Sequence, residues 1–272
     1  MPPKAVFLVL LLCWPLKEVF SQTNLDKAAN FAKSLIENRE YNRALIELER
    51  ISFTNPSYFN PLQFRVTINY LNFQNRYYDR ILFLPEQDYS QIFAVDSAIA
   101  LKDYKNAETI ILNQHSQKED FLNMLERRLL FCNLMQSFPK NADYVDMSKD
   151  VYNTYNSLRN EIDNEMLAVL FGIIPGGGYA YAGSVYTGLS ALAVTTLCAG
   201  LSYMSVRSGM EPMGVLFALT GTFFYGGSIY GGYRSVIRNN ERVSHRAYTE
   251  ISEQLHFKED RENIFRNHGI FK

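Results

Sequence analysis

The sequence predicts an all-α protein built as an N-terminal helical-repeat solenoid, a transmembrane helical hairpin and an amphipathic C-terminal helix. Three observations predict it. Residues 24–165 place apolar residues three and four apart, with few glycines and no strand-like alternation. Two stretches of 21 residues, 186–206 and 213–233, carry no charge. Beyond them, residues 239–265 return to a charged, helically periodic pattern. The formal net charge of −1 leaves no basic footprint for nucleic acid.

Residues 1–21 read as a secretory signal. Lys4 supplies the positive charge, Ala5 to Leu16 the apolar run, and Val19-Phe20-Ser21 a cleavage site before Gln22. Twelve residues rise about 18 Å as a helix, short of a hydrocarbon core of roughly 30 Å. Cys13 follows three leucines, without the small residues of a lipobox. Cys132 and Cys198 lie in apolar surroundings and read as small buried hydrophobes rather than a disulfide or a metal site.

Residues 22–165 form the repeat domain. NREYNRALIELERISFTNP (38–56) aligns with LKDYKNAETIILNQHSQKE (101–119). Both carry Tyr-x-x-Ala with an aliphatic residue four beyond, as Tyr41, Ala44, Leu48 and as Tyr104, Ala107, Ile111. NRYYDRILFL (75–84) offers a degenerate middle copy, with Ile81 or Leu82 where the small residue belongs. These residues, with Ile51 and Pro56 and with Ala28, Phe31, Ala32 and Leu35 ahead of them, resemble the tetratricopeptide repeat. The small alanine lets two helices approach, Tyr41 and Leu48 fill the space between them, and Pro56 stops the unit. The resemblance implies stacked helix pairs sharing one core, and a surface that holds another polypeptide.

Residues 166–233 form the membrane domain: a short interfacial helix at 166–174, a glycine-rich bend at 175–183, and spans at about 186–206 and 213–233. Each span is long enough to cross a bilayer. Thr187, Ala191, Thr195 and Ala199 recur every four residues on the first span, and Gly214, Ala218, Thr222 and Gly226 on the second. Small residues at this spacing let helices pack closely in lipid, so the two stripes are expected to face each other.

GIIPGGGYAYAG (172–183) raises the question of a phosphate loop. It has no lysine and follows no strand, so Pro175, Gly176, Gly177 and Gly178 read instead as a membrane bend. PGGGYAYAGSVYTGLSAL is similar to the Pro-Gly-x-Gly-x-x-Tyr-x-Gly opening of two-span bacterial envelope domains of the TM2-type pattern. FFYGGSIYGGYRSVIRNNER resembles their Tyr-Gly-Gly-x-Ile-Tyr close. Tyr179 stands where that pattern commonly has glutamine. The resemblance implies a bacterial envelope membrane protein with no catalytic residues to carry over; the expected place is the cytoplasmic membrane, and a cleaved signal at 1–21 puts the repeat domain on the exported, periplasmic side.

Arg234, Arg238, Arg242 and Arg246 line one helix face just past the second span. With two spans they lie on the exported side and are expected to contact lipid headgroups. With a third span at 166–183 they lie in the cytoplasm, as positive-inside statistics favour. Residues 234–272 read as an amphipathic helix and tail, solvated or interfacial.

His115, His245, His256 and His268 make no metal spacing, and no H-E-x-x-H or G-x-S-x-G appears. No acid or base lies inside the spans, as a proton relay requires. The expectation is therefore no catalytic residue, cofactor, metal or small-molecule substrate. The partners expected are membrane lipid and a protein of the cell envelope. An accessory subunit of an envelope transport, secretion or assembly complex is the alternative.

Overall fold

The computed structural model describes residues 24–81, 89–113, 118–140 and 148–271, and among these every regular element is helical. The signal sequence expected at 1–21 lies outside the described residues. The chain forms two compact units, one of residues 1–136 with 255–272, the other of 137–254.

The first unit contains α1 (residues 24–37), α2 (Tyr41–Thr54), α3 (Pro61–Gln74), α4 (Ser90–Ala100), α5 (Tyr104–Leu112), most of α6 (Glu119–Ser137), and α12 (Phe257–His268). α3 starts on Asn60, whose side chain accepts from the Leu62 and Gln63 N–H groups, with Pro61 at the first helical position. α5 starts on Asp103, which accepts from Asn106 N–H.

Three helices of this unit end in the same loop. Arg39, Arg76 and Lys102 each adopt φ 61°. The residue after each donates back into the preceding helix: Glu40 to Leu35 O, Tyr77 to Asn72 O, Asp103 to Ala98 O, at 2.8, 2.8 and 2.9 Å. This is the paired-bond ending of a helix that closes on a left-handed residue. The tyrosine two beyond each, Tyr41, Tyr78 and Tyr104, opens the next helical turn. At Tyr78, where the sequence suggests a degenerate copy, the turn is only a 3-10 turn, Tyr78–Arg80.

The core of the unit includes Ala32, Leu48, Ile51, Leu71, Ile92, Phe93, Val95, Phe131 and Leu134. α4 is the central helix, buried from Ser90 through Ile99 on all sides. Its polar residues Gln91 and Asp96 are inside with the rest.

The second unit contains α7 (Lys149–Asn160), α8 (Glu165–Phe171), α9 (Gly177–Tyr181), α10 (Val185–Arg207) and α11 (Glu211–Gln254). α10 and α11 are both long and apolar enough to cross a membrane. Only 11% and 17% of their apolar windows are buried. Leu189, Leu197, Val215, Leu216, Leu219 and Phe223 point outward and are more than half exposed. A helix in a soluble core would bury these side chains.

Three expectations change here. α11 runs through residues 233 and 234 without a break. The helix expected over 239–265 stops at Gln254 and restarts at Phe257, with His256 at φ 59°. No glycine or proline marks that break. The division at residue 165 also moves. α7 groups with α8 to α11 in the second unit, and α12 with α1 to α6 in the first.

Candidate functional site

In the first unit, α12 lies across three helices and makes contacts to each. Phe265 stacks on Tyr70 of α3, ring centroids 4.2 Å apart, and Ile270 N–H donates to Thr67 Oγ1 at 3.1 Å. His268 stacks on Tyr89, just ahead of α4. Phe257 meets Phe131 of α6 at 5.2 Å. Phe257, Asp260 and Ile264 are the buried face of α12, spaced by three and four.

A buried charge network joins the same helices. Arg128 of α6 is fully buried. It grips Asp96 of α4 in a two-pronged bond, Nε to Oδ1 at 2.6 Å and Nη2 to Oδ2 at 3.0 Å. Its Nη1 reaches Asp260 of α12 at 2.9 Å and Met124 O at 3.0 Å. Arg127 holds both Asp260 oxygens at 2.8 Å, and Arg261 donates to Asp96 at 2.6 Å. The Arg128 and Arg261 guanidiniums also sit over the Phe257 and Phe73 rings, at 4.5 and 4.3 Å. Burial by itself lowers the Arg128 pKa. The Asp96 and Asp260 carboxylates more than offset this and hold it above the ordinary arginine value. Beside it, burial pushes the Cys132 thiol up to about 12, helped by Glu108 and Asp96, which makes it a poor nucleophile at neutral pH.

The sequence reading did not single out Asp96, Arg128, Asp260 or Arg261. The one available signal was a lone acid in the otherwise uncharged SQIFAVDSAIA.

The chain matches no family profile, no curated protein and no solved structure.

Of the residues expected to pack a repeat, four lie in the first unit's core and two tyrosines are half-buried. Ala44, Leu48, Ala107 and Ile111 are buried. Tyr41 meets Tyr70 edge-on at 6.3 Å, and Tyr104 meets Phe131 at 6.4 Å. In the second unit, the turn after α8 comes earlier than expected, and Gly177 and Gly178 are already helical in α9. Gly176 adopts φ 82°, and a Cβ there would sit 1.9 Å from Gly188 O. A Cβ on Gly178 would sit 2.8 Å from Ala168 O and 3.2 Å from the Gly232 Cα. These glycines let backbone lie on backbone, and no phosphate is needed to explain them.

The seam between α10 and α11 differs from the expected stripes. On α10 the inward residues are Ala191, Thr195, Cys198, Ser202 and Ser205, with Gly188 ahead of them turned to Gly176. On α11 they include Gly214, Phe217, Gly221 and Tyr225, while the buried Ser228 and Gly232 further along meet the Gly176–Gly178 backbone. Steps of three and four alternate on α10 and mix on α11, so the seam advances about 3.5 residues per turn, the period of left-handed helix pairs. A strict four-residue stripe drifts about 40° around a 3.6-residue helix at each step. Ala191, Thr195 and Gly214 accordingly lie in the seam. Thr187, Ala199, Ala218, Thr222 and Gly226 fall on its exposed flanks. Ser202 Oγ ties the helices by donating to Gly214 O at 2.8 Å.

Arg234, Arg238 and Arg242 are exposed and make no ion pair among the described residues. Arg246 pairs with Glu161 at the end of α7. Among the described residues no group of three His, Cys, Asp or Glu side chains could hold a metal ion.

Proposed function

We propose that this chain is a membrane-anchored interaction scaffold of the bacterial cell envelope, with its helical-repeat unit on the exported side. The observation that carries the reading is the grip on α12. The first unit recognises an amphipathic helix through aromatic stacking and a buried Asp–Arg network. Such a surface is of the helix-in-groove kind that binds polypeptides. In this chain α12 fills it, so a partner meets either the outer surface or the site that α12 vacates. Outside that site Phe53 is 90% exposed, and Leu62 and Leu112 are more than half exposed.

Two spans fit this arrangement. α12 belongs to the same compact unit as α1–α6, and in the second unit α7 lies beside the C-terminal half of α11. Both relations need residues 148–163 and 240–271 on one side of the membrane. On this reading Arg234, Arg238 and Arg242 face lipid headgroups of the exported leaflet. Gly200, Gly226 and Gly227 have nothing within 4 Å of a Cβ position, which leaves room for a further span. That observation favours the second reading, an accessory subunit of an envelope complex.

Photocrosslinkable residues at Phe53 and Leu112 in intact cells test the scaffold. Reproducible capture of one envelope protein at Phe53 or Leu112 supports it. A chain that crosslinks only to itself, or only through a residue placed at Gly226, favours structural or span-mediated roles. A reporter active only outside the cytoplasm should be active at Lys272 and silent at Gly209. The reverse pattern excludes the exported orientation.

A further inference from the structure

We infer that residues 165–181 enter the membrane as a re-entrant helical hairpin, dipping into one leaflet and returning to the same face, with lipid acyl chains covering its outer side. The inference rests on α10 and α11 being the spans.

The path of the segment is set by its contacts along α11. At its start, Asp163 bonds Asn240. At its turn, Tyr225 OH donates to Ile173 O at 3.0 Å, and Gly176 N–H donates to Ser228 Oγ at 2.8 Å. On its return, the Gly178 backbone packs on Gly232, and Tyr179 lies over Gly231. Asn164 N–H finally donates to the Tyr181 hydroxyl at 3.1 Å, so the two ends of the segment meet.

Position on α11 therefore measures depth. Tyr225 lies eight residues inside Tyr233, about 12 Å along a helix axis. Half of a roughly 30 Å hydrocarbon core is about 15 Å. The turn thus stops short of the midplane. A crossing segment would separate Asn164 from Tyr181, and they are bonded. A segment flat on the surface would not reach Tyr225.

Two independent features fit hydrocarbon rather than water. The outer side carries Met166, Leu170, Phe171, Ile173 and Ile174, exposed by 69, 55, 49, 63 and 63%. Met166 to Val206 contains no charged residue. The turn also has protein partners for its backbone, from Tyr225 and Ser228. Irregular backbone at membrane depth persists only where protein or trapped water satisfies it, whereas an exposed turn in water needs no such help.

The test uses the full chain with Cys13, Cys132 and Cys198 replaced by alanine, in sealed vesicles of phosphatidylethanolamine and phosphatidylglycerol. Single cysteines at Met166, Ile174 and Ser184, with Leu197 as the mid-span reference, carry an environment-sensitive fluorophore. Met166 and Ser184 should be quenched by an aqueous quencher from one face. Ile174 should be quenched severalfold more by spin-labelled acyl chains than by the aqueous quencher, with Leu197 deeper still. Shallow signals at all three positions mean a surface helix and overturn the inference. Labelling of Met166 and Ser184 from opposite faces means a third span and also overturns it. A water-exposed Leu197 would show instead that the membrane reading itself fails.

Discussion

Asn240 holds the backbone of Asp163 at both of its polar groups. The Asp163 N–H donates to Asn240 Oδ1 at 3.0 Å, and Asn240 Nδ2 donates to the Asp163 carbonyl at 2.9 Å. Asn239 adds a bond to the Asp163 carboxylate at 3.2 Å. The chain leading into α8 is thereby pinned to α11. Asn240→Ala removes partners from two part-buried backbone groups, and an unsatisfied group costs roughly 1–3 kcal/mol. The expected result is a lower unfolding midpoint in detergent, larger than for Asn239→Ala. Equal effects from the two variants would mean that the backbone clamp contributes nothing special.

The charge network predicts a different hierarchy. Arg128→Ala leaves Asp96 and Asp260 short of their shared buried partner, and breaking such a pair costs about 3–5 kcal/mol. Asp260→Ala should be milder, because Arg128 keeps Asp96. Both should release α12 and expose Cys132, which is fully buried in the native unit. Maleimide labelling of Cys132 checks this, with none expected in the wild type and rapid labelling in both variants. The pH sense follows from the raised thiol pKa. The protonated, buried thiol stabilises the fold fully below its ordinary value of 9.0, and this contribution declines as pH climbs through about 12. Cys132→Ala should therefore flatten the alkaline part of the stability curve.

The three left-handed loop residues make a test of internal repetition. Arg39, Arg76 and Lys102 share one φ and one bonding pattern. A left-handed conformation costs a side-chain-bearing residue roughly 1–2 kcal/mol, which glycine avoids at the cost of a more flexible unfolded chain. A cation near a helix C-terminus recovers about 0.3–1 kcal/mol. Glycine should thus match or slightly exceed the native residue, and valine should destabilise by more than about 1 kcal/mol. Thermal unfolding of the six variants measures this. A different order at the three sites would mean that the loops are not equivalent.

How far the sequence shows this fold depends on the residue. α2 and α5 are legible because each buries one face, and Tyr-x-x-Ala marks where that face begins. α4 is not, because it is buried all round and has no polar side to set its phase. Asp96 finds its partners 32 and 165 residues away, at Arg128 and Arg261, a separation that helical periodicity cannot register. The break at His256 is hidden too. Gln254-Leu255-His256-Phe257 contains no helix breaker, and the turn is made by what α12 gains against α3, α4 and α6. In the second unit, composition identifies the two helices long and apolar enough to cross a membrane, but their facing sides depend on the period of the seam.

That period can be tested residue by residue. A Cβ at Gly214 would lie 2.5 Å from Val206 Cγ2 and 3.2 Å from Ser202 O, and one at Gly221 would lie 3.1 Å from Cys198 Cβ. Gly226 has open space. Leucine at Gly214 or Gly221 must push the helices apart, and such overpacking costs typically about 1–3 kcal/mol. Leucine at Gly226 meets no neighbouring helix and replaces a poor helix former, so it should be neutral or stabilising. The same logic separates Ala191, which lies in the seam, from Ala218, which lies on its flank. Protease resistance of the hairpin in membranes is the measurement. Gly214→Leu, Gly221→Leu and Ala191→Leu should be cut faster than the wild type, while Gly226→Leu and Ala218→Leu should not. Accelerated cleavage in the flank variants, with the seam variants unchanged, would restore the four-residue stripe as the contact face.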